Sequence, residues 1–370
     1  MKTHNAHSPL QQAGFSLVEI MVGMTIGLLA TLVIMQLMAS FEVQKQTTSA
    51  SADTQTNGAV ALFHIDRDLK NAGYPLTATT NSPLACATLA GVLPLNTLSP
   101  VIITDNDPGS DAGSDAIIIH YGDSPNGGIP ASITGPAPYV NSQVLAANSN
   151  LGCNAGDQAI IINNANCTMT TAAPVSSINN TQLQLADVTN VVQNKAEVAC
   201  LGNWNTITYR VVNGDLVKSI VSSNPQFNQA ANPIVANIVS IQAQYGIANP
   251  NEAQSVKPVP PNPGPSKANN IVQWVDATGP LWANPTVANR NLIKAVRIAF
   301  VARNPAKEAT VVTTPCATNP NGLCAWDNDA LNPAPPNINL NADPDWQRYR
   351  YRIYETIIPL RNVIWSWGIL

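Results

Sequence analysis

Residues 20–39 are twenty consecutive residues without a charge, and a single acid, Glu19, stands at the outer edge of that run. As a helix the run spans about 30 Å, the thickness of a bilayer core. An ordinary cleaved secretory signal does not fit, because the run is longer than an apolar region of roughly 7–15 residues and no small-residue cleavage site follows it directly. Residues 1–14, MKTHNAHSPLQQAG, are polar with one lysine, Lys2. An unpaired acid inside a membrane costs about 2.5–3.5 kcal/mol on insertion scales, so Glu19 asks for a partner. Cleavage after Gly14 would supply one. The new ammonium of Phe15 lies one helical turn from Glu19, and in an assembly the Glu19 of an incoming subunit can neutralise the Phe15 ammonium of its neighbour.

The run Gly14-Phe15-Ser16-Leu17-Val18-Glu19, leading into an apolar helix, resembles the type IV prepilin family. The resemblance implies that prepilin peptidase cuts after Gly14, that Phe15 becomes the N-methylated first residue and that Glu19 serves assembly. Family leaders usually carry basic residues close to the cut, whereas this one has only Lys2, with His4 and His7 mostly neutral at pH 7. Two further stretches resemble PilW-like minor pilins. One is Ile65-Asp66-Arg67-Asp68-Leu69-Lys70-Asn71-Ala72-Gly73-Tyr74. The other is Tyr349-Arg350-Tyr351-Arg352-Ile353-Tyr354-Glu355-Thr356 with the ending Pro359-Leu360-Arg361-Asn362.

What this implies is an α+β, type IV pilin-like fold, with a long N-terminal helix packed on an antiparallel β-sheet domain that carries long loops. The expected divisions are a leader at 1–14, a transmembrane and assembly half of the helix at 15–41, an amphipathic half at 42–73, and a β-rich domain at 74–370. The function implied is that of a non-catalytic minor pilin required for type IV pilus assembly, part of a priming or tip complex and without a cofactor. Its partners would be other minor and major pilins through the helix, prepilin peptidase, the inner-membrane assembly platform and a tip adhesin. It would sit in the bacterial inner membrane with its domain in the periplasm, then in the pilus on the cell surface. Two rivals remain: a J-type minor pseudopilin of type II secretion, and a pilus-tip adhesin or DNA-uptake receptor.

Helical spacing continues past the bilayer run, with Ala59, Leu62, Phe63 and Leu69 as the expected apolar face and Gly73 as the stop. Gly23 and Gly27 form a GxxxG, which permits close helix contact and also suits general packing. Beyond the helix the chain reads as β-structure. Residues 116–121, 158–162 and 295–302 are β-branched runs bounded by turn residues. Residues 206–212 and 216–221 flank Asn213-Gly214, a strong hairpin turn because both positions tolerate positive φ. Residues 249–267 hold six prolines and form a surface insertion. Residues 295–302 and the C-terminal strand are expected to rejoin one sheet.

Charged residues make up only 11% of the chain, against roughly 25% in soluble domains, while there are 29 prolines, which suits a strand-and-loop surface outside the cytoplasm. The formal charge of −4 becomes −5 once residues 1–14 are removed, so nucleic acid is not an expected partner. The six cysteines, Cys86, Cys153, Cys167, Cys200, Cys316 and Cys324, lack the CxxC spacing of redox or zinc sites and favour disulfides in an oxidising compartment. Six allow fifteen pairings. Local closure favours Cys153–Cys167 and Cys316–Cys324 and leaves Cys86 for Cys200; buried free thiols are the alternative.

Enzymatic signatures are missing: there is no HExxH, GxSxG, phosphate loop or dinucleotide glycine pattern. Ser124, in Gly122-Asp123-Ser124, has no histidine downstream to serve as base and reads as a turn residue. His64 and His120 read as packing histidines rather than metal ligands. Asp105, Asp107, Asp111 and Asp115 crowd a loop that offers oxygen ligands to calcium, but Gly109 and Ala116 stand where an EF-hand wants acids, and a solvated acidic loop is the competing reading. Arg348, Arg350 and Arg352 alternate with Tyr349 and Tyr351, which on one strand separates cations from aromatics. Such a face binds single-stranded nucleic acid in some proteins and is an ordinary solvated edge in most.

Overall fold

A computed structural model of the chain describes residues 14–76, 86–91, 98–135, 138–140, 144–150, 152–163, 166–172, 181–186, 191–192, 195–249, 269–326 and 336–364. Residues 1–13 of the expected leader and all but Asn249 of the expected proline-rich insertion lie outside them. The chain divides into two compact units, Met1–Ala52 and Asp53–Leu370.

One helix, α1, runs from Leu17 to Leu69. An 18-residue window near its start is apolar enough to cross a membrane, and none of that window is buried. The hydroxyls of Thr25, Thr31 and Ser40 donate to the carbonyls of Val22, Leu28 and Leu37, each at 2.8 Å. Polar groups satisfied within their own helix in this way cost little in lipid.

From Thr54 onward the pattern changes, and Thr54, Gly58, Ala61, Ile65, Asp68, Leu69 and Ala72 are buried. These positions recur every three or four residues, the period of one helix face. The face expected from sequence is corrected here. Leu69 belongs to it and Leu62 sits at its edge, but Ala59 is exposed and Phe63 is 63% exposed. The inward face carries a glycine and an acid at Gly58 and Asp68, so hydrophobicity alone points to the wrong side. After Leu69 the chain turns, with Gly73 at φ +76°, a conformation that glycine adopts without the Cβ penalty.

The β-structure is three main sheets rather than the single sheet expected. The first has five strands in the order Gln229–Val235, Asp215–Ser222, Trp204–Val212, Ala116–Gly122 and Val101–Thr104. Its hairpin turns at Asn213 and Gly214, both at positive φ, as that dipeptide favours. The second has four strands in the order Ile271–Val275, Ile238–Ala248, Ile293–Arg303 and Tyr351–Pro359. Residues 295–302 and the C-terminal strand therefore pair with each other, in a sheet separate from the hairpin's. The third has the order Thr88–Gly91, Asn166–Thr171, Gln158–Asn163, Glu197–Gly202 and Ala131–Ser132. The pairs in these sheets are antiparallel except Thr88–Gly91 with Asn166–Thr171, which is parallel.

The main core joins Ala61, Ile65, Leu69 and Ala72 of α1 to Ile117, Ile207 and Tyr209 of the first sheet and to Tyr245, Ile298 and Phe300 of the second. On the second sheet, Ala299 and Val301 join a separate cluster with Ile338 and Trp346 from the excursion between its last two strands.

Cysteine pairing departs from the expectation at two of three bonds: Cys86 joins Cys167 and Cys153 joins Cys200, with Cα separations of 5.8 and 5.1 Å. The reason is the hairpin between Cys153 and Cys167. Cys167 pairs with Ile162 near the hairpin's turn, whereas Gly156, three residues after Cys153, bonds to Ala172 at its open end. Five residues of strand, about 16 Å, separate those ends, too far for a bond that spans roughly 7 Å at most. Sequence proximity therefore misled there. Cys316 is joined to Cys324, where the chain turns back on itself and Cys316 N donates to Gly322 O.

Close approach of α1 to the second sheet depends on Gly58, where an added Cβ would stand 2.1 Å from the Tyr354 ring. Gly58→Ala improves helix propensity by about 1 kcal/mol, yet overpacking costs about 1–3 kcal/mol. We expect a net loss of stability in thermal unfolding. Combined with Tyr354→Ala the same substitution should become neutral or stabilising, and a loss that persists there would place the constraint elsewhere.

Candidate functional site

The most unusual feature of Asp53–Leu370 is an acid on the buried face of its helix. The Asp68 side chain is 5% exposed and accepts hydrogen bonds from the Tyr209 hydroxyl at 2.6 Å, from Lys218 Nζ and, at 3.2 Å, from Arg67 Nε. Tyr209 and Lys218 face each other across the first sheet's central hairpin, and the Lys218 ammonium lies 5.5 Å from the Tyr209 ring centre. Burial, reinforced by the Asp68 carboxylate, holds the Tyr209 phenol above its ordinary range, so it acts as a hydrogen-bond donor. A buried carboxylate is tolerated only when paired and hydrogen-bonded, and this one is both.

Three more side chains tie α1 and the turn after it to the β-structure. Asn57 Nδ2 donates to Ala236 O at 3.0 Å, the Tyr354 hydroxyl donates to Thr54 O at 3.3 Å, and Asn362 Nδ2 donates to Lys70 O at 3.3 Å and Ala72 O at 3.1 Å. The last satisfies carbonyls left open where the helix ends. Tyr209, Lys218, Ala236, Tyr354 and Asn362 all fall in one stretch of sequence.

That stretch, residues 206–362, matches the family model PilW, Type IV Pilus-assembly protein W. The match falls on the part of the chain that receives the helix. Among solved structures, a type IV-like pilin from Thermus thermophilus aligns with 84% of this chain and 96% of its own, at 12% identity and a TM-score of 0.34, a likeness too slight to add to the residue-level account. No curated protein matches the chain. The PilW region supplies the whole second sheet and every receiving group named above for the helix.

At the other end, Gly14 and Phe15 precede α1 and are exposed, Glu19 lies in its first turn and is exposed, and Gly23 and Gly27 face open space. The apolar side chains from Phe15 to Phe41 are likewise exposed, Phe15 to 79%.

The four loop aspartates are not gathered around one point. Asp105 accepts from Asn106 Nδ2, and Asp107 pairs with Arg210 at 2.9 Å and accepts from Gly109 N and Ser110 Oγ. Asp111 accepts from the backbone N–H groups of Asn213 and Gly214 at 2.9 and 2.7 Å, and Asp115 accepts from those of Asn106 and Ala243 at 3.1 and 2.8 Å. The loop thus clamps the tip of the Asn213-Gly214 hairpin and bridges to the second sheet. Among the described residues no group of three or more His, Cys, Asp or Glu is placed to hold a metal.

The expected arginine face is also corrected. Arg348 lies in a 3-10 turn and donates to Glu308 O and Ala309 O, Arg350 pairs with Glu308 at 2.9 Å, and only Arg352 is in the strand, which begins at Tyr351. Arg348 thus holds the excursion's backbone and Arg350 its Glu308 side chain, and the three cations form no stripe. His120 is buried, donates from Nδ1 to Ser99 O at 2.7 Å and stacks beside Trp204, and burial pushes its pKa down to about 4. Burial also lowers the pKa of His64. Ser124 is buried with its carbonyl accepting from the Tyr74 hydroxyl, while Asp123 braces the next strand's start by accepting from Asn203.

Removing the Asp68 carboxylate strands Lys218, and loss of one partner of a buried ion pair costs about 3–5 kcal/mol. We expect Asp68→Ala to lower the unfolding free energy of the full chain, read from urea titration, by an amount in that range, with Asp68→Asn, which still accepts from Tyr209, costing less. Equal, negligible losses would show that the acid is not structural.

Asp115 gives a pH signature. Burial, with Asp105 and Asp276 adding to it, outweighs its two backbone bonds and raises its pKa from 3.8 to about 7. Between those values the folded chain binds more protons at this site than the unfolded one, so the site's contribution to stability falls as pH rises from about 4 to 7. The thermal midpoint of Asp115→Asn should accordingly depend less on pH across this window than that of the wild type; identical slopes would refute the assignment.

Proposed function

We propose that the chain is a PilW-like minor pilin, a non-catalytic subunit anchored in the inner membrane through the start of α1 and then built into a type IV pilus, where it helps to prime assembly at or near the tip. The observation that carries this reading is the change of character along one helix. Its N-terminal part shows an exposed apolar surface that requires lipid or other helices, and its C-terminal part is the core element of a domain whose receiving groups lie in the PilW region. On this reading prepilin peptidase cuts after Gly14, and Phe15 becomes the N-methylated first residue. Glu19 neutralises the Phe15 ammonium of a neighbouring subunit. Its partners are other pilins, through the exposed apolar part of α1, and the assembly platform.

The reading is tested at both ends of that proposal. The protein recovered from pili should begin at Phe15 by mass spectrometry, and retention of residues 1–14 in assembled pili would overturn it. Glu19→Ala should leave insertion and cleavage intact, since removal of the acid eases insertion by a few kcal/mol at most. Entry into the filament should fall, because a charge-assisted contact in a low-dielectric setting is lost. Normal pilus incorporation at a normal membrane level would reject the role given to Glu19.

A further inference from the structure

The excursion between the last two strands of the second sheet lies on the face turned away from the main core, where its Ala325, Ile338, Leu340 and Trp346 cluster with Ala299 and Val301. Directly after Ala325, Trp326 stands at φ +57°, a conformation that a bulky residue keeps only where its surroundings hold it. Two contacts do so: its N–H donates to Glu355 Oε1 at 3.0 Å, and its ring centre lies 4.2 Å from the guanidinium of Arg297. Arg297 is 4% exposed, donates to Gln244 Oε1 and has the Trp274 ring centre 5.0 Å away. Trp326 thus covers a buried cation of the second sheet.

The turn that delivers Trp326 is closed just before it by Cys316–Cys324. Inside that turn Cys316 N donates to Gly322 O at 3.1 Å and Asn319 N to Cys316 O at 3.2 Å. Both half-cystines are partly exposed, whereas each of the other two bonds has one at 0% exposure, Cys86 in the first and Cys200 in the second. A thiol from solution therefore reaches Cys316–Cys324 before either of the others. The exposed Thr318 hydroxyl lies 3.8 Å from Cys316 Sγ and 3.2 Å from Cys324 Sγ, close enough to donate to a thiolate forming at Cys324.

We propose that Cys316–Cys324 is a redox latch. Oxidised, it holds the excursion with Trp326 over Arg297; a dithiol reductant opens it, frees Trp326 and uncovers Arg297 while the rest of the β-structure stays folded. The reductant's thiolate attacks Cys316 Sγ, the bond between the two sulfurs breaks, and Cys324 leaves as a thiolate that takes up a proton. The reductant's second thiol then displaces Cys316 from the mixed disulfide, so the reductant ends as a disulfide and the protein as two thiols, two electrons and two protons having passed to it. Opening stays local for two reasons. No strand of the second sheet contains a cysteine, and none of the described excursion residues belongs to the main core. Once the bond is open, the positive φ of Trp326 rests on the Arg297 contact and on one hydrogen bond to an exposed acid, Glu355.

The test uses the full chain in non-ionic maltoside micelles, titrated under native conditions with dithiothreitol, trapped with iodoacetamide and mapped by mass spectrometry while tryptophan emission is recorded. Cys316 and Cys324 should be alkylated at reductant concentrations at least roughly tenfold below those needed for the other cysteines. Emission should move to longer wavelength in step with that alkylation, and oxidised glutathione should reverse it. In Trp326→Phe the same reduction should leave the emission unchanged. Thr318→Val should slow the reduction, because Cys324 then leaves without a hydrogen-bond donor. Simultaneous reduction of all three bonds, earlier reduction of either long-range bond, or an emission shift that is absent from the wild type or persists in Trp326→Phe would each overturn the latch. A Thr318→Val rate equal to that of the wild type would overturn the part given to the hydroxyl.

Discussion

The Asp68 carboxylate is the constraint around which Asp53–Leu370 is arranged. A charge on the inward face of a helix is costly unless each lone pair is met, and the two groups that enter from the β-side, the Tyr209 hydroxyl and the Lys218 ammonium, come from adjacent strands of one hairpin. Apolar packing around Ile65 and Leu69 accounts for attraction between helix and sheets but tolerates sliding by a turn. The carboxylate does not, because a shift of one turn, about 5.4 Å, would leave three charged or polar groups unmet. It therefore sets the register in which Gly58 meets Tyr354 and the helix end meets Asn362.

The same feature explains what could be read from sequence and what could not. The Asn213-Gly214 hairpin, the β-branched strands around Ile118, Ile160 and Ile298, and the long N-terminal helix were legible because each rests on local chemistry: turn geometry, strand propensity and an uninterrupted apolar run. The inward face of α1 past Thr54 was not, since a glycine and an aspartate occupy positions where a periodicity argument looks for leucine. The disulfides failed for a related reason: proximity along the chain is a poor guide once a hairpin carries Cys167 away from Cys153. The acidic loop at 105–115 reads from sequence as solvated, with calcium ligation as the rival, because its true partners, the N–H groups of Asn213, Gly214 and Ala243, lie more than a hundred residues away. An asparagine-glycine turn with an acidic loop elsewhere in the chain is a signal worth weighing, as such turns expose N–H groups that carboxylates can cap.

The long-range disulfides bear on why a chain with so little charge and so many loops holds together. Cys86–Cys167 and Cys153–Cys200 close loops with sequence separations of 81 and 47 residues. By the chain-entropy account each restricts the unfolded state by roughly 4 kcal/mol, against roughly 2–3 kcal/mol for the 8-residue separation of Cys316 and Cys324. Both long bonds reach the third sheet, which lies outside the PilW region, while the second sheet inside that region has none. Cross-linking and the charged lock thus act on different strands: covalent closure ties down the third sheet, whose Ile160, Ile162 and Leu201 share the main core with Leu69, and the lock ties down the hairpin.

A helix that is core at one end and exposed apolar surface at the other has a consequence for how such a subunit must be handled. The part after Thr54 cannot be removed as an anchor might be, because Ala61, Ile65, Leu69 and Ala72 are structural members of the main core. The part before Phe41 cannot be left in water, because none of its apolar window is covered by the protein itself. The hydroxyls of Thr25, Thr31 and Ser40, turned onto their own helix, leave that surface mainly apolar, with Gln36 as an exposed amide within it, and so suited to lipid and to the apolar flanks of other helices. Exchange between those two environments then changes little for the side chains. What distinguishes them is the acid at Glu19, which gains a fixed cation only where another chain's amino terminus is present, so on this reading the charge, rather than the apolar surface, gives assembly its direction.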